Sequence, residues 1–185
     1  MKQFLFLVAI LFECTDPVLA QSTRLAEQRA LVEAWSREPM HPAGDTIGLQ
    51  LMGDLTVMYM MRSNYDSALV VATNAALAGE RLLAAATDME RNKDVRELLY
   101  NVQGFRCMLL RDHGAFDEAI DVGRTVLGHA ELLGTADRLA EAYKALSLCH
   151  VGLDDVGTAL LWTRKQLAVV DTSDRLSRSQ VLCEM

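Results

Sequence analysis

The chain has 185 residues, of which 51% are hydrophobic and 23% charged, and its formal net charge is −7 at pH 7. This length suits one compact or elongated domain. The acidic balance excludes the basic footprint of a nucleic-acid-binding protein, and no lysine or arginine cluster indicates a membrane-surface patch.

Residues 1–20 have the pattern of a secretory signal peptide. Lys2 gives a positive start, an apolar run extends from Phe4 to Phe12, and small or aliphatic residues at 18–20 suit a cleavage site. The run is too short to span a bilayer. We therefore predict cleavage after Ala20 and export to the periplasm or the cell exterior. The alternative is a buried N-terminal helix or strand.

Lipid attachment at Cys14 would be a second way to process this segment. Glu13, however, stands where lipoprotein processing needs a small residue. We therefore expect a chain without lipid. The segment contains one basic residue, Lys2, and two acidic residues, Glu13 and Asp16, so its removal changes the net charge from −7 to −6.

Proline placement and apolar spacing predict an all-α fold. No proline follows Pro42, and apolar residues beyond it recur at spacings of three and four without strand-like alternation. Residues 21–42 are predicted to form an N-terminal helix and a linker. Its helix covers Thr23–Arg37, with Ser22 as the N-cap. Residues 43–185 are predicted to form the helical domain.

Three helix hairpins are predicted in that domain, at about 46–89, 94–133 and 136–170. The first pairs Asp45–Arg62 with a helix that starts at Tyr65, and Glu90-Arg91-Asn92-Lys93 forms a polar turn after it. Gly134 is expected to end a helix and Thr135 to cap the next. After a turn at 171–174, an incomplete last helix covers 175–185, which leaves a longer chain or an oligomer open.

The turns inside these hairpins share a short pattern. Each has an aromatic or branched apolar residue three positions before a small alanine that lets the two helices pack closely. Gly114 precedes the clearest example and can leave its helix in a left-handed conformation. The three pairs are Tyr65 with Ala68, Phe116 with Ala119, and Val156 with Ala159.

The turn pattern resembles that of the tetratricopeptide repeat family, in which a glycine, an aromatic residue and an alanine fall in a short window. Gly114, Phe116 and Ala119 match all three positions; Tyr65 and Ala68 match two, and Ala159 matches the alanine only. The repeats are degenerate, with long helices. The resemblance covers Thr46–Val170 and implies an α-solenoid, a right-handed superhelix of antiparallel helix hairpins.

The resemblance also implies a concave groove, lined by the first helix of each hairpin, that holds a protein or peptide. Packing between hairpins is the alternative role for the apolar candidates Val57, Met60 and Met108. Some family members grip a terminal carboxylate with lysines and asparagines, of which this chain has an incomplete set. Alignment on the shared alanines gives the groove candidates Gln50, Gly53, Val57, Met60, Asn101, Gly104, Met108, Arg111, Glu141, Lys144, Leu148 and Val151.

No residue pattern indicates catalysis, a cofactor or a metal. The four histidines form no HExxH motif, and no GxSxG or glycine-rich phosphate loop occurs. We expect His113 to be solvated, His150 to lie in the core and His129 to lie on an exposed face. Acidic pairs such as Asp117-Glu118 stand at helix starts, where they favour the helix dipole.

The cysteines outside the signal segment are Cys107, Cys149 and Cys183, with no CxxC spacing. A disulfide between Cys107 and Cys149 is conceivable, because both fall in first helices of adjacent hairpins. The other interpretation is that both are free thiols that pack as small apolar groups.

The sequence therefore predicts a non-catalytic, exported tetratricopeptide-type scaffold that binds a protein or peptide, without a nucleic-acid partner. The alternative is the periplasmic sensory segment of a two-component sensor histidine kinase, which such exported repeats also resemble. In that case a membrane helix would follow in a longer chain. A homo-oligomer is open in both cases.

Overall fold

The computed structural model describes residues 17–37, 46–86 and 89–170. This part of the chain is entirely helical, which confirms the all-α prediction. The predicted last helix at 175–185, His41, Cys14 and Cys183 lie outside the described residues. The helices are α1 (Pro17–Arg37), α2 (Ile47–Met61), α3 (Tyr65–Ala85), α4 (Met89–Asp112), α5 (Phe116–Leu133), α6 (Ala136–Gly152) and α7 (Val156–Val169).

Helix α1 belongs to a separate unit, Met1–Pro39, and the other helices belong to the unit Met40–Met185. The predicted N-cap at Ser22 is wrong, because α1 already begins at Pro17. Proline favours the first helical position, where its fixed φ fits and its missing N–H costs nothing. The predicted cleavage site after Ala20 consequently lies inside α1.

The predicted polar turn at Glu90–Lys93 is also wrong. These residues form the first turn of α4, which has 24 residues against 17 in α6. Glutamate, arginine and lysine are good helix formers, and Glu90 in the first turn complements the helix dipole. Helix α4 therefore begins at Met89, before the predicted turn and not after it.

The three hairpin turns have the same backbone conformation. Ser63, Gly114 and Asp154 take left-handed φ values of 55°, 78° and 58°, each five residues before the shared alanine. The next residue in each turn donates its N–H to the carbonyl five residues back, as in Asn64 to Tyr59 at 3.0 Å. This is the helix-ending bond of a Schellman motif. The left-handed conformation predicted for Gly114 is confirmed. Ser63 and Asp154 take the same conformation in the other two turns.

The shared alanines let the helices of each hairpin approach closely. Ala68, Ala119 and Ala159 are all buried. Twelve residues before each stands a small buried side chain on the opposing helix, and two of these donate to the alanine's carbonyl: Cys107 Sγ to Ala119 O at 3.2 Å and Ser147 Oγ to Ala159 O at 3.0 Å. Close packing therefore recurs from hairpin to hairpin.

Each helix from α2 to α7 packs against the next one along the chain. In addition, α2 contacts α4, and α4 contacts α6. Within the described residues, α3, α5 and α7 make no comparable backbone contact with one another. The first helices of successive hairpins therefore lie side by side.

One residue ties the second hairpin to the third. The Phe116 ring packs so closely on Gly152 that a Cβ built on this glycine would lie 2.1 Å from Phe116 Cε1.

Gly134 ends α5 in the left-handed conformation, as predicted, with φ 71°. Thr135 is the N-cap of α6, although its side chain makes no capping bond.

Helix α3 is the one described helix that is long and apolar enough to cross a membrane, with a mean hydropathy of 1.3. Core helices of soluble proteins pass the same test. Ala68, Ala72 and Ala75 are completely buried, and α3 packs between α2 and α4. Helix packing therefore accounts for the buried face of α3, whereas Val70 and Leu77 are exposed.

Candidate functional site

A groove of about 370 Å³ runs between α4 and α6. The side chains on each helix recur at three- and four-residue spacing, so they share one face. From α4 the groove is lined by Asn101, Gly104, Phe105, Met108 and Arg111, with Tyr100 and Cys107 beneath; α6 adds Glu141, Lys144, Ala145 and Leu148, and α5 adds Val126.

The groove contains six of the eight principal partner-binding candidates. These are Asn101, Met108, Arg111, Glu141, Lys144 and Leu148. The other two, Gln50 and Met60, lie on α2 and do not line it; Gln50 is exposed and Met60 is half-buried. Gly104 also lines the groove, whereas Gly53, Val57 and Val151 do not.

The side chains of the groove divide into an apolar floor and a polar rim. Phe105, Met108 and Leu148 are half-buried, which is intermediate between a core position and a free surface. Asn101 and Glu141 are exposed at the end of the groove where α6 begins. Arg111 lies about 15 Å from Asn101 along α4, at 1.5 Å per residue. The rim therefore changes from an anionic end to a cationic end.

Tyr100 joins the two walls at the anionic end. Its hydroxyl donates to Glu141 Oε2 at 2.8 Å and lies 3.2 Å from the carbonyl oxygen of Arg138. Burial, followed by the bond to Glu141, raises the pKa of Tyr100 well above its usual value. The phenol therefore stays protonated and keeps Glu141 oriented at the rim.

Arg138 supports this junction from outside the groove. Its guanidinium forms an ion pair with Glu97 and lies 5.6 Å from the centre of the Tyr100 ring. A cation at this distance from an aromatic face is attracted to the ring. Together with the hydroxyl of Tyr100, these contacts fix α4 against α6 along one edge of the groove.

Arg111 lies at the opposite end and is oriented by its neighbour. Its Nε and Nη2 donate to Asp112 Oδ1 at 3.0 and 2.7 Å. This exposed pair offsets part of the cationic charge of Arg111. Lys144, in the middle of the α6 wall, is the second cation of the groove.

A pair of neighbouring thiols includes Cys107, which lines the groove. Cys107 and Cys149 are free, both are buried, and their sulfur atoms are 3.9 Å apart. The contact with Cys149, followed by burial, raises the pKa of the Cys107 thiol. Both residues therefore pack as free, buried thiols, as the second interpretation of the sequence expected.

His113 and His150 lie in different surroundings. His113 is exposed, as predicted, and its Nδ1 and Nε2 lie 2.8 Å from Leu109 O and 3.0 Å from Asp66 Oδ1. Because both partners are acceptors, first the carbonyl and then the carboxylate raise the pKa of His113. His150, predicted in the core, is half-buried, with Nδ1 3.2 Å from Asp155 Oδ2.

The expectation that His129 is exposed is wrong. The residue is 6% exposed, because it faces Glu80 of α3 and Arg96 of α4. Glu80 Oε1 lies 3.8 Å from its Nε2, too far for a hydrogen bond, and burial lowers the pKa of His129. The ring is therefore held neutral.

Sequence analysis missed Tyr100, Phe105, Cys107, Val126 and Ala145 as lining residues. Phe105 and Ala145 each lie four residues after a candidate, Asn101 and Glu141, so helical spacing alone could have found them. Tyr100 could not be found this way, since its position depends on how α4 and α6 are aligned in register.

No family model matches the chain, and no curated protein is similar to it. In the described ranges, no group of three or more histidine, cysteine, aspartate or glutamate side chains could hold a metal ion. The case for function therefore depends on the groove and on the repeat pattern.

Proposed function

We propose that this chain is a non-catalytic helical repeat protein that binds an extended polypeptide segment in the groove between α4 and α6. The observation that carries the proposal is the convergence of six predicted partner-binding residues, including Asn101, Met108 and Lys144, on one groove. The resemblance to tetratricopeptide repeats assigns these same residues to the partner-binding face.

The repeat architecture supports this proposal. The three turns share their left-handed residue, their helix-ending bond and their buried alanine. The first helices contact each other, whereas the second helices do not. In a stacked array this asymmetry puts the first helices on the inner side of the curve, which is the side that binds partners in solenoid proteins.

The chemistry of the groove favours a peptide over a small polar metabolite. Its length of about 15 Å accommodates roughly four or five residues of extended chain. Met108 and Leu148 offer apolar contacts to one or two side chains, and the Asn101 amide can both donate to and accept from a peptide backbone. Lys144 suits an acidic residue of the ligand.

Selection from a displayed library of random peptides tests this function. The expected result is enrichment of sequences with an aromatic or long aliphatic residue close to Asp or Glu. Met108→Lys should weaken a selected peptide by roughly tenfold or more, because it puts a cation on the apolar floor. Met89→Lys, on the same helix at an exposed position, is the matched control and should bind normally.

A second variant tests the charge of the ligand. Lys144→Glu should weaken acidic peptides and make the remaining binding less dependent on salt. Arg124→Glu, an exposed change of the same charge on α5, should have little effect. Selected peptides that bind all four variants equally would refute the groove as the binding site.

We also propose export of the chain, from the signal-peptide pattern of residues 1–20. The intact mass of the protein from its own cells tests this, and a chain that starts at Gln21 is expected. A chain that keeps Met1 would contradict it.

A further inference from the structure

We propose that Cys107 and Cys149 form a disulfide across α4 and α6, beneath the groove, when the protein meets a disulfide oxidant of the glutathione class. The formation of this bond does not depend on the proposed function. Its effect on peptide binding does, because the bond lies under the groove.

The geometry requires a small movement. The sulfur atoms are 3.9 Å apart and a disulfide needs about 2.05 Å, so side-chain rotation and a slight approach of two helices already in contact suffice. To form the disulfide, Cys107 gives up its hydrogen bond to the carbonyl oxygen of Ala119. The reduced pair is thus close to bonding geometry.

The packing of the repeats does not require two thiols here. The positions equivalent to Cys107, twelve residues before the shared alanine, hold Thr56 and Ser147. The position equivalent to Cys149 in the second hairpin is Leu109. A hydroxyl or an aliphatic side chain therefore serves the same packing role, and the two sulfur atoms face each other only between α4 and α6.

The groove gives an oxidant a path to the pair. Cys107 is 1% exposed, but it lines the groove together with Met108 and Leu148. Small displacements of these two half-buried side chains open that path. Cys107 lines the groove and Cys149 does not, so the oxidant meets Cys107 first. Because the pKa of Cys107 is raised, its thiolate forms mainly at alkaline pH.

The reaction proceeds by two exchanges. The Cys107 thiolate attacks one sulfur of glutathione disulfide, forms a mixed disulfide and releases one glutathione thiolate. The Cys149 thiolate then attacks the Cys107 sulfur of the mixed disulfide, and the second glutathione leaves. Overall, two electrons pass from the protein to the oxidant, and the two thiol protons end on the released glutathiones.

The product would stabilise the second and third hairpins together. The bond closes a loop between residues 42 positions apart. A loop of this length should raise Tm by roughly 10 °C, provided the bond is unstrained. It should also slow amide hydrogen exchange in α4 and α6, because neither can then open without the other.

The test uses the full chain with Cys14→Ser and Cys183→Ser, so that only the two buried thiols remain. After incubation with glutathione disulfide at mildly alkaline pH, we expect loss of two hydrogen atoms, no glutathione adduct and one linked Cys107–Cys149 peptide. Tm should rise, and dithiothreitol should reverse the change. A further Cys149→Ser change should abolish the rise and give at most one glutathione adduct.

The same peptide map on the unaltered chain guards against a variant that fails to fold. Two unmodified thiols, or a glutathione on each, would overturn the proposal. A disulfide that forms while no peptide binds would refute the proposed function alone. A peptide that binds while no disulfide forms would refute the disulfide alone.

Discussion

Gly123→Ala tests whether α5 packs as closely on the third hairpin as the repeat pattern implies. A Cβ built on Gly123 would lie 2.8 Å from Leu146 Cδ2, 3.4 Å from Leu146 Cγ and 3.5 Å from Cys107 Sγ. Leu146 is completely buried, so its side chain has little room to move away. The new methyl group therefore overpacks the core.

Two opposing effects set the change in the free energy of unfolding of this variant. Replacing a helical glycine with alanine stabilises a helix interior by about 1 kcal/mol. Overpacking a well-packed core costs about 1–3 kcal/mol. Gly128→Ala, five residues later in the same helix, gains the first effect without the second, because nothing lies within 4 Å of its Cβ. Gly123→Ala should therefore be about 1–3 kcal/mol less stable than Gly128→Ala.

Urea denaturation of both variants and the parent measures this difference. A double-mutant cycle with Leu146→Ala sharpens it, because the methyl group added at position 123 would then fill part of a cavity and not clash. The coupling should be favourable by roughly 1 kcal/mol or more. Equal stability of Gly123→Ala and Gly128→Ala would refute the packing of α5 against α6.

Three further changes test other parts of the structure. Ala119→Phe should cost about 1–3 kcal/mol by overpacking the completely buried turn alanine, and a variant that melts like the parent would contradict the hairpin. Tyr100→Phe should cost about 1 kcal/mol in urea denaturation, because the bond to Glu141 is lost. Burial lowers the pKa of His129, so the unfolded chain binds more protons below pH about 6.5. The free energy of unfolding should then fall as the pH is lowered, and His129→Leu should reduce that fall. The same dependence of stability on pH in the parent and the variant would contradict a neutral His129.

Much of the fold could be predicted because the helix-ending signals are local. Gly134 ends its helix and Gly114 takes the left-handed conformation, as their lack of a side chain favours. Ser63 and Asp154 take the same conformation without that advantage, since the tertiary packing of the hairpin imposes the turn. Polarity misled the prediction at Glu90, because an exposed helical turn and a loop are both polar.

The groove was only partly predictable for a different reason. The resemblance placed Met108 and Leu148 on the helical faces that line the groove, because the shared alanine fixes the register within each hairpin. It could not show that Tyr100 bonds to Glu141, since this contact depends on the offset between two hairpins. The burial of His129 likewise depends on α3 and α4, which its neighbours in sequence do not reveal.

Nuclear magnetic resonance titration with a selected peptide tests the central claim most directly, namely that α4 and α6 form a peptide-binding groove. Two glycine amides serve as reporters: Gly104 lines the groove, whereas Gly128 lies on α5 outside it. We predict that the Gly104 resonance shifts in proportion to the bound fraction while the Gly128 resonance stays in place. Shifts at Gly128 with none at Gly104 would contradict the proposed binding site.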